Sequence, residues 1–370
     1  MSPGPVAYDP RSMPRPRAQP WIPALAVVAV ALGAAAGCRT RDPYADILWF
    51  YKPEPGEVIV PREQHGPRQL AMFHGTDGQP LDWNALWNGM RWADIVIIGE
   101  QHDDGNAHLV QQALYAEAVA AWPGSVISME MLERDEQPAV DEYLTGAIGE
   151  DEFIERTGSR DWAGKDTWVR FYQPMVDEAR RAKCRVVAAN APRGFVRMAR
   201  TDGWDALRAL PPEDQRLFSL PRADAPASYR ARFAEFMAGG GEHPADDAAV
   251  DQVLRAQRLW DSTMADSVVE ALHAAPSGAK VVHVVGQFHS EYDGGLVSEI
   301  QARAPFAKVL TVTVQRGDAL ALRPEDAGKA DVVVYGPRPN PQWRGFIAGS
   351  LSQPTEPASE EELPSWGFAY

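Results

Sequence analysis

Ala93-Asp94-Ile95-Val96-Ile97-Ile98-Gly99-Glu100-Gln101-His102 is a run of branched apolar residues that stops at a glycine, a carboxylate and an imidazole. Side chains that are stiff at χ1 favour extended backbone, and an apolar run without polar alternation suits a strand covered on both faces. The same pattern returns at Lys280-Val281-Val282-His283-Val284-Val285-Gly286-Gln287-Phe288-His289. Four further short runs of this kind lie at residues 125–129, 185–189, 309–314 and 331–335. Helical patterns fill the gaps, at 106–121, 135–144, 167–183, 248–273 and 295–302. Strands alternating with helices predict an α/β fold: an open, mostly parallel sheet flanked by helices. Residues 193–279, between the third and fourth of these strands, contain almost no strand-like run and are expected to form a helical cap insertion.

The ends of the chain read differently. Arg11, Arg15 and Arg17 precede an apolar stretch from Trp21 to Gly37, so residues 1–37 are expected to be a secretory signal peptide. Ala35-Ala36-Gly37 before Cys38 has the small-residue character of a bacterial lipobox. Cys38 is then expected to carry lipid, with 38–56, rich in proline and charge, as the tether. The folded domain is assigned to 57–345, opening with a small hairpin of Glu57–Val60 and Arg68–Phe73. Residues 346–370, with Pro354, Pro357 and Glu360-Glu361-Glu362, have the composition of a disordered tail. The chain is thus expected to be exported and anchored in the cell envelope.

Two cysteines are present, and with Cys38 lipidated only Cys184 remains, so an intramolecular disulfide is excluded and a core must hold the fold. The formal net charge is −15, and loss of a leader carrying three arginines and Asp9 makes it more negative. Such a surface repels a phosphate backbone, which excludes nucleic acid as a partner of the domain.

Ligands of open α/β sheets collect at the carboxyl ends of the strands. Glu100 and His102 follow the first strand, Glu130 ends the second, Asn190 and Arg193 follow the third, and His289 follows the fourth. Carboxylate and neutral imidazole together suit a divalent metal with an open position, so Glu100, His102, Glu130 and His289 are candidate metal ligands. The same four suit acid–base work, in which a carboxylate orients the imidazole that takes a proton. Quieter roles are open to each: His102 as a helix cap, His289 as a satisfied supporting histidine, and Glu130 in an ion pair with Arg193. His283, inside a strand, reads as core.

Val96-Ile97-Ile98-Gly99-Glu100-Gln101-His102-Asp103 with Gln111, Ser128-Met129-Glu130-Met131-Leu132, Ala189-Asn190-Ala191-Pro192-Arg193 and Val285-Gly286-Gln287-Phe288-His289 closely resemble the ChaN-like haem-binding uptake lipoproteins. That family lies in the Tiki superfamily, together with erythromycin esterase-like hydrolases and Tiki metalloproteases. Trp168-x-x-x-Tyr172-x-Pro174 and Ala256-Gln257-x-x-Trp260-Asp261-x-x-Met264-Ala265 extend the resemblance. It implies outer-membrane attachment facing the periplasm, a possible homodimer, and haem as cofactor in iron acquisition, held by a tyrosine. Tyr172, Tyr143 and Tyr229 are the candidates for that ligand, with Asp261 in support of the strand-end site. A hydrolase using Glu100, His102, Glu130 and His289 on an ester or amide is the alternative, and a non-catalytic envelope lipoprotein is a third.

Overall fold

A computed structural model describes residues 66–238 and 247–336. Its centre is one sheet of eight strands: β1 (Ala71–His74), β2 (Pro80–Leu81), β3 (Ile95–Glu100), β4 (Val126–Glu133), β5 (Val186–Asn190), β6 (Val281–Gly286), β7 (Val309–Arg316) and β8 (Val332–Gly336). Their spatial order is β2-β1-β8-β7-β3-β6-β4-β5. The six strands from β3 to β8 run parallel, and β1 and β2 close one edge antiparallel. The α/β expectation therefore holds, with helices on both faces. The expected hairpin is different: Arg68 lies in a 3-10 turn, β1 pairs with β2, and Glu57–Val60 falls outside the described residues.

β3 and β6 are buried at every position, which is why neither shows polar alternation. Ile98, Val282 and Val284 face one layer, where the helices Gly105–Ala121 and Gln173–Ala182 supply Val110, Leu114, Met175 and Val176. Ile95, Ile97, Val281 and Val285 face the other, against Met264, Ala265 and Val268 of Asp247–Ala274 and Leu296 and Ile300 of Gly295–Arg303. Each Val, Leu, Ile or Met side chain so buried contributes about 1.5–3 kcal/mol of transfer free energy.

The chain leaves β3, builds β4 and β5 outward, and returns to lay β6 between β3 and β4. It then crosses to the far side of β3 for β7. The carboxyl ends of β3, β6 and β4 are thereby brought side by side where the strand order reverses, the place such sheets use for ligands.

The segment 193–279 contains helices and no strand among its described residues. Its last helix, Asp247–Ala274, serves two layers. Its amino-terminal half packs on Tyr229 and Phe233 of the helix Ala227–Ala238 and on Phe195 and Phe218, and its carboxyl-terminal half lies on the sheet.

Candidate functional site

Both glycines of the paired loops serve close approach and not a left-handed backbone. A Cβ on Gly99 would lie 2.9 Å from Ser290 Oγ and 3.1 Å from Gln287 Cα, so glycine lets the short helix Gln287–Ser290 rest on β3. A Cβ on Gly286 would lie 2.9 Å from His102 Cε1 and 3.4 Å from Glu130 Oε2. The two loops are in contact, with Glu130 beside them.

Two units meet there, one from each face of the sheet. In the first, Glu100 is buried at the end of β3 and accepts four donors or donor candidates. Oε1 takes His102 Nδ1 at 2.9 Å and the Tyr172 hydroxyl at 2.6 Å, and Oε2 takes Gln111 Nε2 at 2.7 Å and faces His108 Nδ1 at 3.1 Å. Tyr172 reaches Glu100 from a turn of π-helix, Trp168–Tyr172. Pro174 has no N–H to give to the carbonyl four residues back, the ladder widens, and Gln173 N–H bonds to Trp168 O instead. Gln112 Nε2 donates to the Phe171 carbonyl at 3.1 Å and steadies that turn. The continuous helix read at 167–183 is therefore π at its start and α from Gln173.

In the second unit, Asp261 on the long helix accepts His289 Nδ1 at 2.5 Å and the Tyr229 hydroxyl at 2.8 Å. Gln257 Nε2 lies 3.1 Å from His289 Nδ1. The far nitrogen, His289 Nε2, stands 3.5 Å from Glu130 Oε1, and Glu130 Oε2 accepts the Gly286 N–H at 2.5 Å. Glu130 gains this reach from a bulge: pairing of β4 with β6 ends at Met129, and the register to β5 shifts between Met129 and Glu133.

Burial and charge set the proton positions. Burial works to raise Glu100, but the imidazoles of His108 and His102 hold it well below the usual carboxylate range. Burial likewise opposes ionisation of Glu130, yet His289 brings it down to about 2. His289 is penalised by burial and rescued by Glu130 and Asp261, which raise it to about 10, so at neutral pH it is an imidazolium. His102, also penalised by burial, is raised by Glu100 and Glu130 and pulled back by His289. Its side chain keeps 40% exposure, edge-on to Trp162 at 4.9 Å, and Nε2 makes no hydrogen bond among the described residues. His283 below the site is lowered by burial to about 4 and bonds Ser128.

The structure thus brings together Glu100, His102, Glu130, His289 and Asp261. It does not bring Asn190 or Arg193 into the centre. Asn190 ties β5 to β4 by donating to the Glu130 carbonyl at 3.0 Å, and Arg193 pairs with Glu133 at 3.2 Å, more than half exposed, instead of with Glu130. The bulge turns Glu130 inward and leaves Glu133 facing the strand that precedes Arg193. Tyr172 and Tyr229 enter the site as donors to carboxylates, whereas Tyr143 lies apart, its hydroxyl 2.6 Å from Asp177. Cys38 lies outside the described residues.

Among the described residues, no three or more His, Cys, Asp and Glu side chains are arranged to hold a metal ion. The physical reason is pairing: His289 spends both nitrogens on carboxylates, so the four candidates bind one another and do not converge on a common point. His108 is the member that the sequence reading missed. The only signal for it was its spacing, three residues before Gln111 on one helix face.

Residues 86–300, more than half of the chain, match the family described as haem-binding uptake, Tiki superfamily, ChaN. A solved structure showing cofacial haem binding to ChaN of Campylobacter jejuni is similar with a TM-score of 0.54 at 16% identity, covering 74% of this chain and 98% of that one. An erythromycin esterase mutant in its open conformation is similar with a TM-score of 0.37 at 13% identity, over 66% of this chain and 77% of that one. No curated protein matches. The matched stretch encloses β3 to β6, both histidine loops and the cap, and on that match the chain belongs to the ChaN haem-binding uptake family of the Tiki superfamily.

Proposed function

We propose that this protein binds haem at the bacterial cell envelope and takes part in haem and iron uptake, exported and lipid-anchored through Cys38 at the outer membrane, facing the periplasm. The observation that carries the reading is the family match across 86–300. The apolar leader before Cys38 and the proline-rich segment after it support the location. Cofacial binding is the mode of the Campylobacter jejuni relative, and a homodimer sharing haem belongs to the same proposal.

The three tyrosines named as haem ligands do not fit that role as they stand. Ligation to ferric haem uses a phenolate. Burial and the neighbouring carboxylates raise Tyr172 and Tyr229 well above the usual phenol range, and burial with Asp177 raises Tyr143. Each hydroxyl is already a donor to a carboxylate. No iron ligand is assigned among them. Haemin added to the purified full-length protein is expected to give a saturable Soret band that survives Tyr143→Phe; a flat titration overturns the reading.

One observation favours a second reading, hydrolysis of an ester or amide. His102 has Nδ1 fixed on Glu100 and Nε2 open, beside an imidazolium held by Glu130 and Asp261. In that arrangement His102 Nε2 would take a proton from water as the water attacks the carbonyl carbon. The proton on His102 would then pass to the leaving group. A panel of small esters and peptides tests this. Turnover that falls about 10²-fold or more in His102→Ala supports it, and turnover unchanged by that substitution removes it.

A further inference from the structure

At the end of the sheet opposite the histidine loops, the chain gathers side chains that neither reading uses. The stretches leading into β7, β3, β6, β4 and β5 lie side by side there in the order of the strands, at residues 304–308, 91–94, 275–280, 122–125 and 183–185. They carry Lys308, Arg91, Lys280, Lys183 and Arg185 against a single carboxylate, Asp94, in a chain whose formal net charge is −15. Arg91, Lys183, Arg185 and Lys308 are exposed. The fifth cation, Lys280, is buried and donates to the carbonyls of Arg91 at 2.9 Å and Ala93 at 2.5 Å. Asp94 accepts the Lys308 backbone N–H at 2.9 Å.

Aromatic rings stand among these cations. Phe306 is 96% exposed in the turn that enters β7. Trp92, half-buried, has the Lys308 ammonium 5.3 Å from its ring. Trp122, also half-buried, has Lys280 at 4.9 Å and stacks on Trp87 at 4.7 Å, which holds its ring in place. A phenylalanine left in water forgoes the transfer free energy of its whole ring. Indoles, with an apolar body and a polar N–H, and lysines, with an apolar stem and a charged head, are the side chains that settle where lipid meets water.

We propose that this basic, aromatic end of the sheet is a membrane-docking surface, which sets Phe306 into the headgroup boundary of an anionic bilayer and Arg91, Lys183, Arg185 and Lys308 against the lipid phosphates. The proposal rests on attachment through Cys38 and deepens it by fixing which end of the domain meets the bilayer. Charge selects the occupant: the acidic remainder of the protein is repelled by anionic lipid, and this end is attracted. The chain arriving from Cys38 joins the domain on a helix that leads to the same end, because Arg68 pairs at 2.6 Å with Glu117, five residues before Trp122. An anchor that keeps the domain near the surface raises its effective concentration there, so weak docking is enough to orient it. β3 is six residues long, so the histidine loops stand about 20 Å farther from the lipid and open away from it.

The test compares the lipidated full chain in vesicles of phosphatidylethanolamine and phosphatidylglycerol with the same protein in neutral detergent. Each exposed cation at an anionic surface favours docking about fivefold, so backbone amides at 122–125 and 304–308 are expected to exchange hydrogen about tenfold or more slowly in the vesicles. The combined variant Lys183→Glu, Lys308→Glu and Phe306→Ser is expected to float with the vesicles and lose that protection, with its exchange elsewhere unchanged. A wild-type protein that floats but exchanges at this end as it does in detergent overturns the docking and leaves the anchor standing. Protection that persists in the variant overturns the role of the charges and the ring. Slow exchange in detergent as well as in vesicles would mean that a second copy covers this end, and it overturns the proposal. A protein that does not float overturns attachment through Cys38, and the docking with it.

Discussion

Glu130 is the residue on which the two halves of the site meet, since one oxygen faces His289 and the other holds the Gly286 N–H beside His102. Removing one partner of a buried pair leaves the other charge without compensation, which costs about 3–5 kcal/mol. Glu130→Gln is expected to approach that loss in denaturant unfolding, and to lower the His289 titration midpoint from about 10. A fully stable variant would show that Asp261 alone suffices for His289. At this scale the sequence was informative where chemistry is local. Glu100, His102 and His289 announced themselves because polar residues directly follow apolar strands. Arg193 was misplaced because the register shift between Met129 and Glu133, where β4 advances four residues against two of β5, leaves no mark in composition.

Among the elements, the loops depend on what their glycines leave empty. Gly295 opens the helix Gly295–Arg303, and a Cβ there would lie 2.1 Å from Asp261 Oδ2 and 2.9 Å from Tyr229 Cε1. Gly295→Ala must push Asp261 or the helix aside, and overpacking of this kind costs about 1–3 kcal/mol. The expected readout is a lower unfolding midpoint together with a shifted His289 titration, since Asp261 is its partner. A midpoint shift without any change at His289 would mean that the helix moves and the carboxylate does not. The strands and most helices were legible because their periodicities repeat over several residues. The π turn at Trp168–Tyr172 was not, because it follows from a single proline. Tyr229 on Asp261 was not either, because that contact joins distant parts of the chain through the cap.

For the molecule as a whole, the buried charges make stability depend on pH in a calculable direction. His289 is raised to about 10 from an ordinary value of 6.5. Its contribution is complete below about 6.5, where folded and unfolded chains both bind the proton. It is lost as pH rises toward about 10, because the unfolded chain has released a proton that the folded one retains. Glu130, lowered from 4.5 to about 2, contributes fully above about 4.5 and loses its contribution as pH falls toward 2. Denaturant midpoints are expected to fall on the alkaline side above about 6.5, and His289→Gln to flatten that limb. An alkaline limb of equal slope in the variant would assign the loss to other groups. The sheet and its order of layers follow from strands that any sequence reading can find; which layer supplies which half of the centre does not.

That division between layers has its own meaning. Tyr172, Glu100 and His102 hang from one side of the sheet, and Tyr229, Asp261 and His289 from the other, so neither layer holds a complete centre. The arrangement works as a coincidence requirement: the centre exists only while both halves of the protein are seated, and its integrity therefore reports on the whole assembly and not on any one helix.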